Sequence, residues 1–327
     1  MTISNEIKKV IVTGGAGFIG SHLSERLLSL GKEVLAIDNF DDYYPEEIKR
    51  RNIASLSIKE GFRLSEGDIR NYDFIVDTFK SFSPDLVVHL AAKAGVRPSL
   101  EAPLLYQEVN ILGTNIILEA TKELGISNLL FASSSSVYGD CPNIPFSEDD
   151  PLAKPISPYG VTKMNGEELC YAYHKLYDLN ILCFRFFTVY GPRQRPDMAI
   201  HKFSRLITSG SKIEVYDQGT SSRDYTYIDD IIDGLVGAMN FVSTTPSPLY
   251  EVINLGESVP INLLELIGLI EEGLGKEAQM IKMPRQPGDV IRTFADIQKA
   301  RDLFGYNPST SMKEGILKFI EWFKNPW

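Results

Sequence analysis

The segment Thr13-Gly14-Gly15-Ala16-Gly17-Phe18-Ile19-Gly20 constrains this chain more than any other, because of what flanks it. Upstream, Lys8 to Thr13 reads KKVIVT, a short β-branched run suited to a buried strand. Downstream, Leu23, Leu27 and Leu30 recur at helical spacing, and Gly31 stands where such a helix ends. Glu33 to Asp38 (EVLAID) then reads as the next strand. Strand, glycine turn, helix, strand is the context that gives the glycines meaning. Gly14 permits the tight turn, Gly17 lets the backbone approach a pyrophosphate at the helix N-terminus, and Gly20 lets helix and strand pack closely. Asp38 ends the second strand, where its carboxylate can bind ribose hydroxyls and would repel a 2′-phosphate. The pattern predicts a dinucleotide site that prefers NAD to NADP.

The same rhythm continues. Strand-like runs at Val10–Thr13, Val34–Ile37, Leu86–His89, Leu129–Ala132 and Ile181–Arg185 alternate with helix-like segments such as Asn115–Leu124 and Tyr159–Tyr177. Gly67-Asp68-Ile69-Arg70 reads as the end of another strand, which makes Asp68 a candidate adenine contact by position. This is the signature of an α/β fold, a doubly wound parallel sheet. After Gly191-Pro192 the rhythm loosens, and Asp229–Phe241 and Tyr250–Leu255 restore a helix and a strand. The chain of 327 residues exceeds one compact unit. Two lobes are expected: a dinucleotide-binding lobe of 1–187 with 226–256, and a smaller, discontinuous α/β substrate-binding lobe of 188–225 with 257–327.

A second pattern supplies chemistry. In Ser157-Pro158-Tyr159-Gly160-Val161-Thr162-Lys163, Tyr159 and Lys163 are four apart and share one helix face. A nearby ammonium favours the phenolate, and a tyrosine lowered toward neutrality can take a proton from an alcohol and return it. Alone the pair is weak evidence, since tyrosine and lysine at this spacing occur on many helix surfaces. Beside a dinucleotide site it points to redox chemistry on an alcohol.

Composition removes several alternatives. The net charge of −10 offers no global field for nucleic acid or an anionic membrane, so an anionic ligand must be met by local arginines. Cys141, Cys170 and Cys183 have no CxxC spacing and His22, His89, His174 and His201 do not cluster, so neither a disulfide framework nor a metal site is expected. His89, inside LVVHLAA, reads as a satisfied core histidine. The N-terminus has no long apolar segment and no run approaches the roughly 18 apolar residues of a membrane span, so the expected location is cytoplasmic.

With these landmarks in order, VTGGAGFIGSH, HLAAKAGVR, SSSSVYG, SPYGVTK, RFFTVYGPRQRPDMA, RDYTYIDD and PGDVIRTFAD, the chain resembles the extended short-chain dehydrogenase/reductase family, specifically its nucleotide-sugar branch, over nearly its whole length. The resemblance implies Tyr159, Lys163 and Ser134 as the catalytic set, with Ser134 orienting substrate O4 and Lys163 also holding the nicotinamide ribose. Around the cofactor it implies Gly14, Gly17, Phe18, Ile19, Gly20, Asp38, Asn39, Asp68, Ile69, Leu90, Ala91, Ala92, Lys93 and Asn110. On the substrate side it implies Arg97, Ser136, Thr188, Arg195, Ala199, Phe203, Tyr216, Arg223 for the diphosphate and Asp289 for the uridine ribose. Arg97 is also explained by anchoring its own loop, and Arg195 by a diphosphate contact or a loop salt bridge. The family commonly dimerises through two helices as a four-helix bundle. The apolar residues Ile111, Ile116, Ile117, Leu169, Tyr173 and Leu176 on helices around Leu105–Leu124 and Tyr159–Tyr177 match that, so a homodimer is expected.

Members of this branch share oxidation at C4 and differ in the later steps. Its dehydratases carry an Asp-Glu pair where this chain has Ser135 and Ser136, and its decarboxylases carry glutamate at the Ser136 position. A serine hydroxyl cannot do that acid–base work near neutrality. The resemblance therefore implies 4-epimerisation of a UDP-sugar with tightly bound NAD regenerated each turnover. The run from Phe187 to Ala199 looks most like the UDP-glucuronate 4-epimerases, with Thr188 and Arg195 meeting a C6 carboxylate. The alternatives are UDP-glucose or UDP-N-acetylglucosamine, for which Thr293 leaves room at C2, and, further off, UDP-glucuronate decarboxylation. A sensor or scaffold role without turnover fits poorly with the retained Ser134, Tyr159 and Lys163.

Overall fold

The structure, a computed structural model, describes residues 6–151, 154–284 and 292–326. Its first half alternates strands and helices: β1 (Lys9–Thr13), α1 (Phe18–Ser29), β2 (Glu33–Asp38), α2 (Glu46–Ala54), β3 (Phe62–Glu66), α3 (Tyr72–Phe82), β4 (Leu86–His89) and the short α4 (Val96–Glu101). Then come α5 (Pro103–Gln107), a π-helical turn at Glu108–Leu112, α6 (Gly113–Glu123), β5 (Asn128–Ser134), α7 (Pro158–Tyr177) and β6 (Asn180–Phe186). The second half holds β7 (Thr188–Tyr190), α8 (Ala199–Thr208), β8 (Lys212–Tyr216), β9 (Ser222–Tyr227), α9 (Ile228–Thr244) and β10 (Tyr250–Leu255). It closes with β11 (Pro260–Asn262), α10 (Leu263–Leu274), β12 (Gln279–Met283), α11 (Gln298–Phe304) and α12 (Met312–Lys324).

Seven strands form one parallel sheet in the order β10-β6-β5-β4-β1-β2-β3. Side chains alternate across its two faces, as strand geometry requires. Val10, Val12, Val34, Val88 and Leu130 pack one way with Leu23 and Leu27 of α1 and Leu235 of α9. Ile11, Leu35, Val87, Leu129 and Phe131 pack the other way with Phe79 of α3, Ile117 of α6 and Cys170 of α7. Both faces are covered, which is why these strands read as unbroken apolar runs. Chain order reverses between β1 and β4, so the crevice at the carboxyl ends of the strands opens there.

The looser part of the sequence builds two small sheets. In one, β9 runs parallel to β7 and antiparallel to β11; in the other, β8 and β12 are parallel partners. Helix α10 packs against α8 and α12, whereas α11 packs against α9 and β10 of the large sheet.

The helix expected around Leu105–Leu124 is a helical stretch that starts at Pro103, includes the π turn and ends at Glu123. Gly113 looks like a breaker in sequence, but a Cβ there would lie 2.5 Å from Ile69 Cδ1, so glycine lets the helix close on that residue. Of the six residues that make these helices apolar on more than one face, Ile116, Ile117 and Tyr173 are buried, Ile111 and Leu169 are half-buried, and Leu176 is exposed. The large apolar side chains exposed on these helices are Leu104, Leu112, Val161, Tyr171, Leu176 and Tyr177.

His89 is the satisfied core residue its surroundings suggested. Its Nδ1 pairs with Thr13 Oγ1 at 2.7 Å and its Nε2 with Thr114 Oγ1 at 3.1 Å. Burial, followed by the Lys163 charge, pulls its pKa down to about 3. His22 on α1 is half-buried, with Nε2 2.9 Å from the Pro192 carbonyl. Burial, reinforced by Arg193, lowers it to about 4. Both rings are neutral when folded and bind a proton near pH 6.5 when unfolded. Their contribution to stability is therefore complete above pH 6.5 and is lost as pH falls toward 4 and then 3. For His22 alone the loss is on the order of 3 kcal/mol by pH 4. Urea midpoints between pH 7 and 4 should fall, and less steeply in His22→Gln; identical slopes in the two proteins would contradict this.

Candidate active site

The strand ends meet at a cavity of about 410 Å³. One end is the glycine turn. Gly14 adopts φ +70°, and its N–H donates to the Ile37 carbonyl at 2.7 Å. A Cβ on Gly14 would stand 2.9 Å from Ala91 N, and one on Gly20 would stand 2.2 Å from Gly14 O, so both positions require a bare backbone. Gly17 caps α1 without a side-chain hydrogen bond, which leaves the first-turn N–H groups of that helix to meet an anion. Asp38 accepts from Ala16 N at 3.1 Å and Phe40 N at 2.9 Å, which aims its carboxylate, while burial raises its pKa. Asp68 is held by Arg70 and Asn39, and these hydrogen bonds, Arg70 first, bring its pKa to about 2. A backbone cradle, a helix N-terminus and two fixed carboxylates suit a dinucleotide. Phe18, Ile19, Asn39, Ile69, Leu90, Ala91, Ala92 and Lys93 line the same end.

The other end brings together Ser134, Ser136, Tyr159, Lys163, Thr188 and Arg195. Ser134 terminates β5, and Ser136 lies in a short 3₁₀ turn after it, with their hydroxyls 3.2 Å apart. Tyr159 sits in the first turn of α7, which Ser157 caps by accepting from Gly160 N at 3.1 Å. A Cβ on Gly160 would stand 2.7 Å from Ser136 O, so this glycine lets α7 approach the serine turn. The Tyr159 ring stands edge-on to Tyr106, with centroids 6.2 Å apart, and its backbone N–H donates to Ser99 Oγ.

Lys163 is engaged differently from the way its spacing suggests. Its ammonium donates to the Ala132 carbonyl at 2.6 Å, and burial brings its pKa to about 8. Burial pushes the Tyr159 phenol up, and the opposing influences are the hydrogen bond with Ser134 and then the Arg195 charge. Helix periodicity placed the two residues on one face but could not show that the end of β5 draws the ammonium.

Other expected residues are elsewhere. Asn110, expected at the cofactor, lies behind the wall: it accepts from Lys93 N at 2.8 Å and donates to Lys93 O and Thr162 Oγ1. It fixes the segment that carries Lys93. Arg97 lies over the Tyr216 ring at 4.9 Å, and neither is among the residues lining the cavity. Arg223 donates to the Ser222 carbonyl, Ala199 opens α8, and Phe203 is buried in the core, so the cavity wall includes none of these three. Thr293 is turned into the fold, where its Oγ1 accepts from Asp224 N at 3.2 Å. Asp289 lies outside the described residues. The cavity also has walls that sequence reasoning missed: Asp41, Tyr43, Tyr44 and Lys49. The available signal was DNFDDYY, a turn-rich run that begins at Asp38. Among the described lining residues the carboxylates are Asp38, Asp41 and Asp68, all from the nucleotide end.

This fold and site define a class. A model of the NAD dependent epimerase/dehydratase family matches residues 10–256, and the chain belongs to that family. The UDP-glucuronate 4-epimerase of Thermodesulfobacterium geofontis is 42% identical over 96% of this chain and 95% of its own length. The crystal structure of UDP-glucuronic acid 4-epimerase from Bacillus cereus, in complex with UDP-glucuronic acid and NAD, matches with a TM-score of 0.91 at 39% identity, covering 98% of this chain and 100% of that one. UDP-glucose 4-epimerase from Thermotoga maritima with UDP-glucose matches with a TM-score of 0.87 at 29% identity, over 97% and 99% of the two chains.

Proposed function

We propose that this protein is a NAD-dependent UDP-sugar 4-epimerase that interconverts UDP-glucuronate and UDP-galacturonate. One observation carries the choice of reaction: the catalytic end of the cavity offers Ser134, Tyr159 and Lys163 but only hydroxyls at Ser135 and Ser136. Tyr159 exchanges a proton with the sugar O4 hydroxyl once its own phenol proton has been relayed toward Lys163, and Ser134 orients that oxygen. The glycine cradle and Asp38 would hold NAD, which when bound would supply reversible hydride exchange at sugar C4. Lys163, brought to about 8 by burial, can pass a proton near neutrality. After the 4-keto sugar rotates, Tyr159 returns the proton to O4 on the opposite face. Without an acid–base group beside C5, elimination has no catalyst.

Thr188 and Arg195 line the wall at the same end and suit a C6 carboxylate. They also answer a chemical hazard, because a 4-keto hexuronate is a β-keto acid that can lose carbon dioxide. Holding the carboxylate still, with help from Ser136, keeps it out of the orientation that cleaves the C5–C6 bond. The substrate-side lobe in this reading comprises 188–225 with 257–327. The family resemblance favours a homodimer, and Leu104, Leu112, Val161 and Leu176, exposed on the helices concerned, support it. A monomer in sedimentation at micromolar concentration would count against the dimer.

The test of function is an NMR time course of purified protein with UDP-glucuronate and no added cofactor. UDP-galacturonate should appear with the C6 carbon intact. Pentose products would mean decarboxylation, and no reaction even with NAD supplied would move the assignment to neutral UDP-hexoses.

A further inference from the structure

Arg195 is held in the cavity by two parts of the chain, and a single tyrosine joins them. Its Nε donates to Asp197 Oδ1 at 3.0 Å and its Nη2 to Asp197 Oδ2 at 2.8 Å. That edge of the guanidinium is engaged, and Nη1 makes neither bond. Tyr43 Oη donates to Asp197 Oδ2 at 3.2 Å. The Tyr43 ring also lies 5.2 Å from the Arg195 guanidinium and 5.7 Å from the Lys93 ammonium. Tyr43 belongs to the loop that starts at Asp38, and that loop is itself fixed: Asp41 Oδ1 accepts from Tyr43 N at 3.0 Å and from Lys93 Nζ at 2.6 Å. Gly95, with φ +107°, lies beside the phenol, where a Cβ would stand in ordinary contact at 3.5 Å from Tyr43 Oη.

We infer that Tyr43 is a positioning residue for substrate specificity: through Asp197 it fixes Arg195 so that Nη1 faces the C6 carboxylate, tying carboxylate recognition to the loop that forms the nucleotide end. The inference rests on the reading that Arg195 meets the carboxylate. Its physical content is orientation. Asp197 and Arg195 form a paired unit in a partly exposed loop, and without the Tyr43 bond that unit can turn about its own backbone. A misdirected guanidinium weakens a charge-assisted bond to a carboxylate strongly and a contact with a hydroxymethyl group little. The effect of losing Tyr43 Oη is thus selective between sugars, which general loosening of the fold is not. Burial raises the phenol to about 12, so it remains a donor at working pH.

The NAD-loaded enzyme provides the test. Discrimination is read as the inhibition constant of UDP-glucose divided by the KM of UDP-glucuronate, in wild type, Tyr43→Phe, Arg195→Met and the double variant. Tyr43→Phe should lower this ratio about three- to tenfold. Arg195→Met should lower it further, and the double variant should match Arg195→Met alone. If Arg195→Met is selective while Tyr43→Phe leaves the ratio in place, the positioning role is wrong and the carboxylate reading stands. Should Arg195→Met weaken both sugars equally, the carboxylate reading fails and the positioning role goes with it. An equal effect of Tyr43→Phe with and without Arg195 would also overturn the inference, because Tyr43 would then act independently.

Discussion

Replacing Tyr159 with phenylalanine is expected to lower kcat for epimerisation by about 10³-fold, within the range for loss of a positioned acid–base group. The ring keeps its edge-on contact with Tyr106, and the backbone bond to Ser99 does not involve the phenol. The variant should therefore fold and retain NAD, which absorbance of the released nucleotide and thermal melting would show. Removing the hydroxyl takes away the phenol's link to Ser134 and, in the proposed mechanism, the group that exchanges a proton with O4. Burial holds this phenol above its usual pKa, and the Ser134 hydrogen bond and then the Arg195 charge oppose that. A kcat within tenfold of wild type would show that another residue carries the proton.

Glu167→Ala should cost about 3–5 kcal/mol of stability, because it strips the partner from a buried cation. Glu167 sits one turn beyond Lys163 on α7, and its carboxylate accepts from Arg185 Nε at 3.0 Å and Arg185 Nη2 at 2.8 Å. The two side chains are only 5% and 4% exposed. Ser133, next to Ser134, donates to the same carboxylate. Arg185 Nη1 is already buried without a hydrogen-bond partner, so little is left to compensate the charge. The loss should appear as a lower Tm and denaturant midpoint. Glu167→Leu combined with Arg185→Met should recover most of it, since removing both charges leaves neither unpaired. A single variant as stable as wild type would mean that water reaches Arg185.

The parts of this molecule legible in sequence are those where one local rule decides. The β-branched run before Thr13 and the glycines after it specify strand, turn and helix. The apolar run at Leu86–His89 became a strand with those bounds because both faces of the sheet are covered there, and Tyr250–Leu255 became the edge strand with the bounds expected. Ser134, Tyr159 and Lys163 do meet at one cavity end. Legibility failed where a partner distant in sequence decides. Asn110 carries the right group in the right region, yet Lys93 and Thr162 engage its amide behind the wall. Lys163 has the right spacing, yet the Ala132 carbonyl holds its ammonium. Tyr43 gave no periodic signal, and its importance rests on Asp197, 154 positions away. The strands β7 and β11, three residues each, lack the length to show a period.

The cavity walls run from Gly14 to Met198 and take one piece from the end of nearly every strand in between. No partly folded segment can present that surface, so the dinucleotide recognises only the finished sheet. Its occupancy then acts as thermodynamic ballast: a ligand at a thousand times its dissociation constant adds about 4 kcal/mol to the native state. Stripping the nucleotide should thus soften regions that never touch it. A substitution that merely loosens the cradle will pass for a folding defect in any assay run without excess nucleotide.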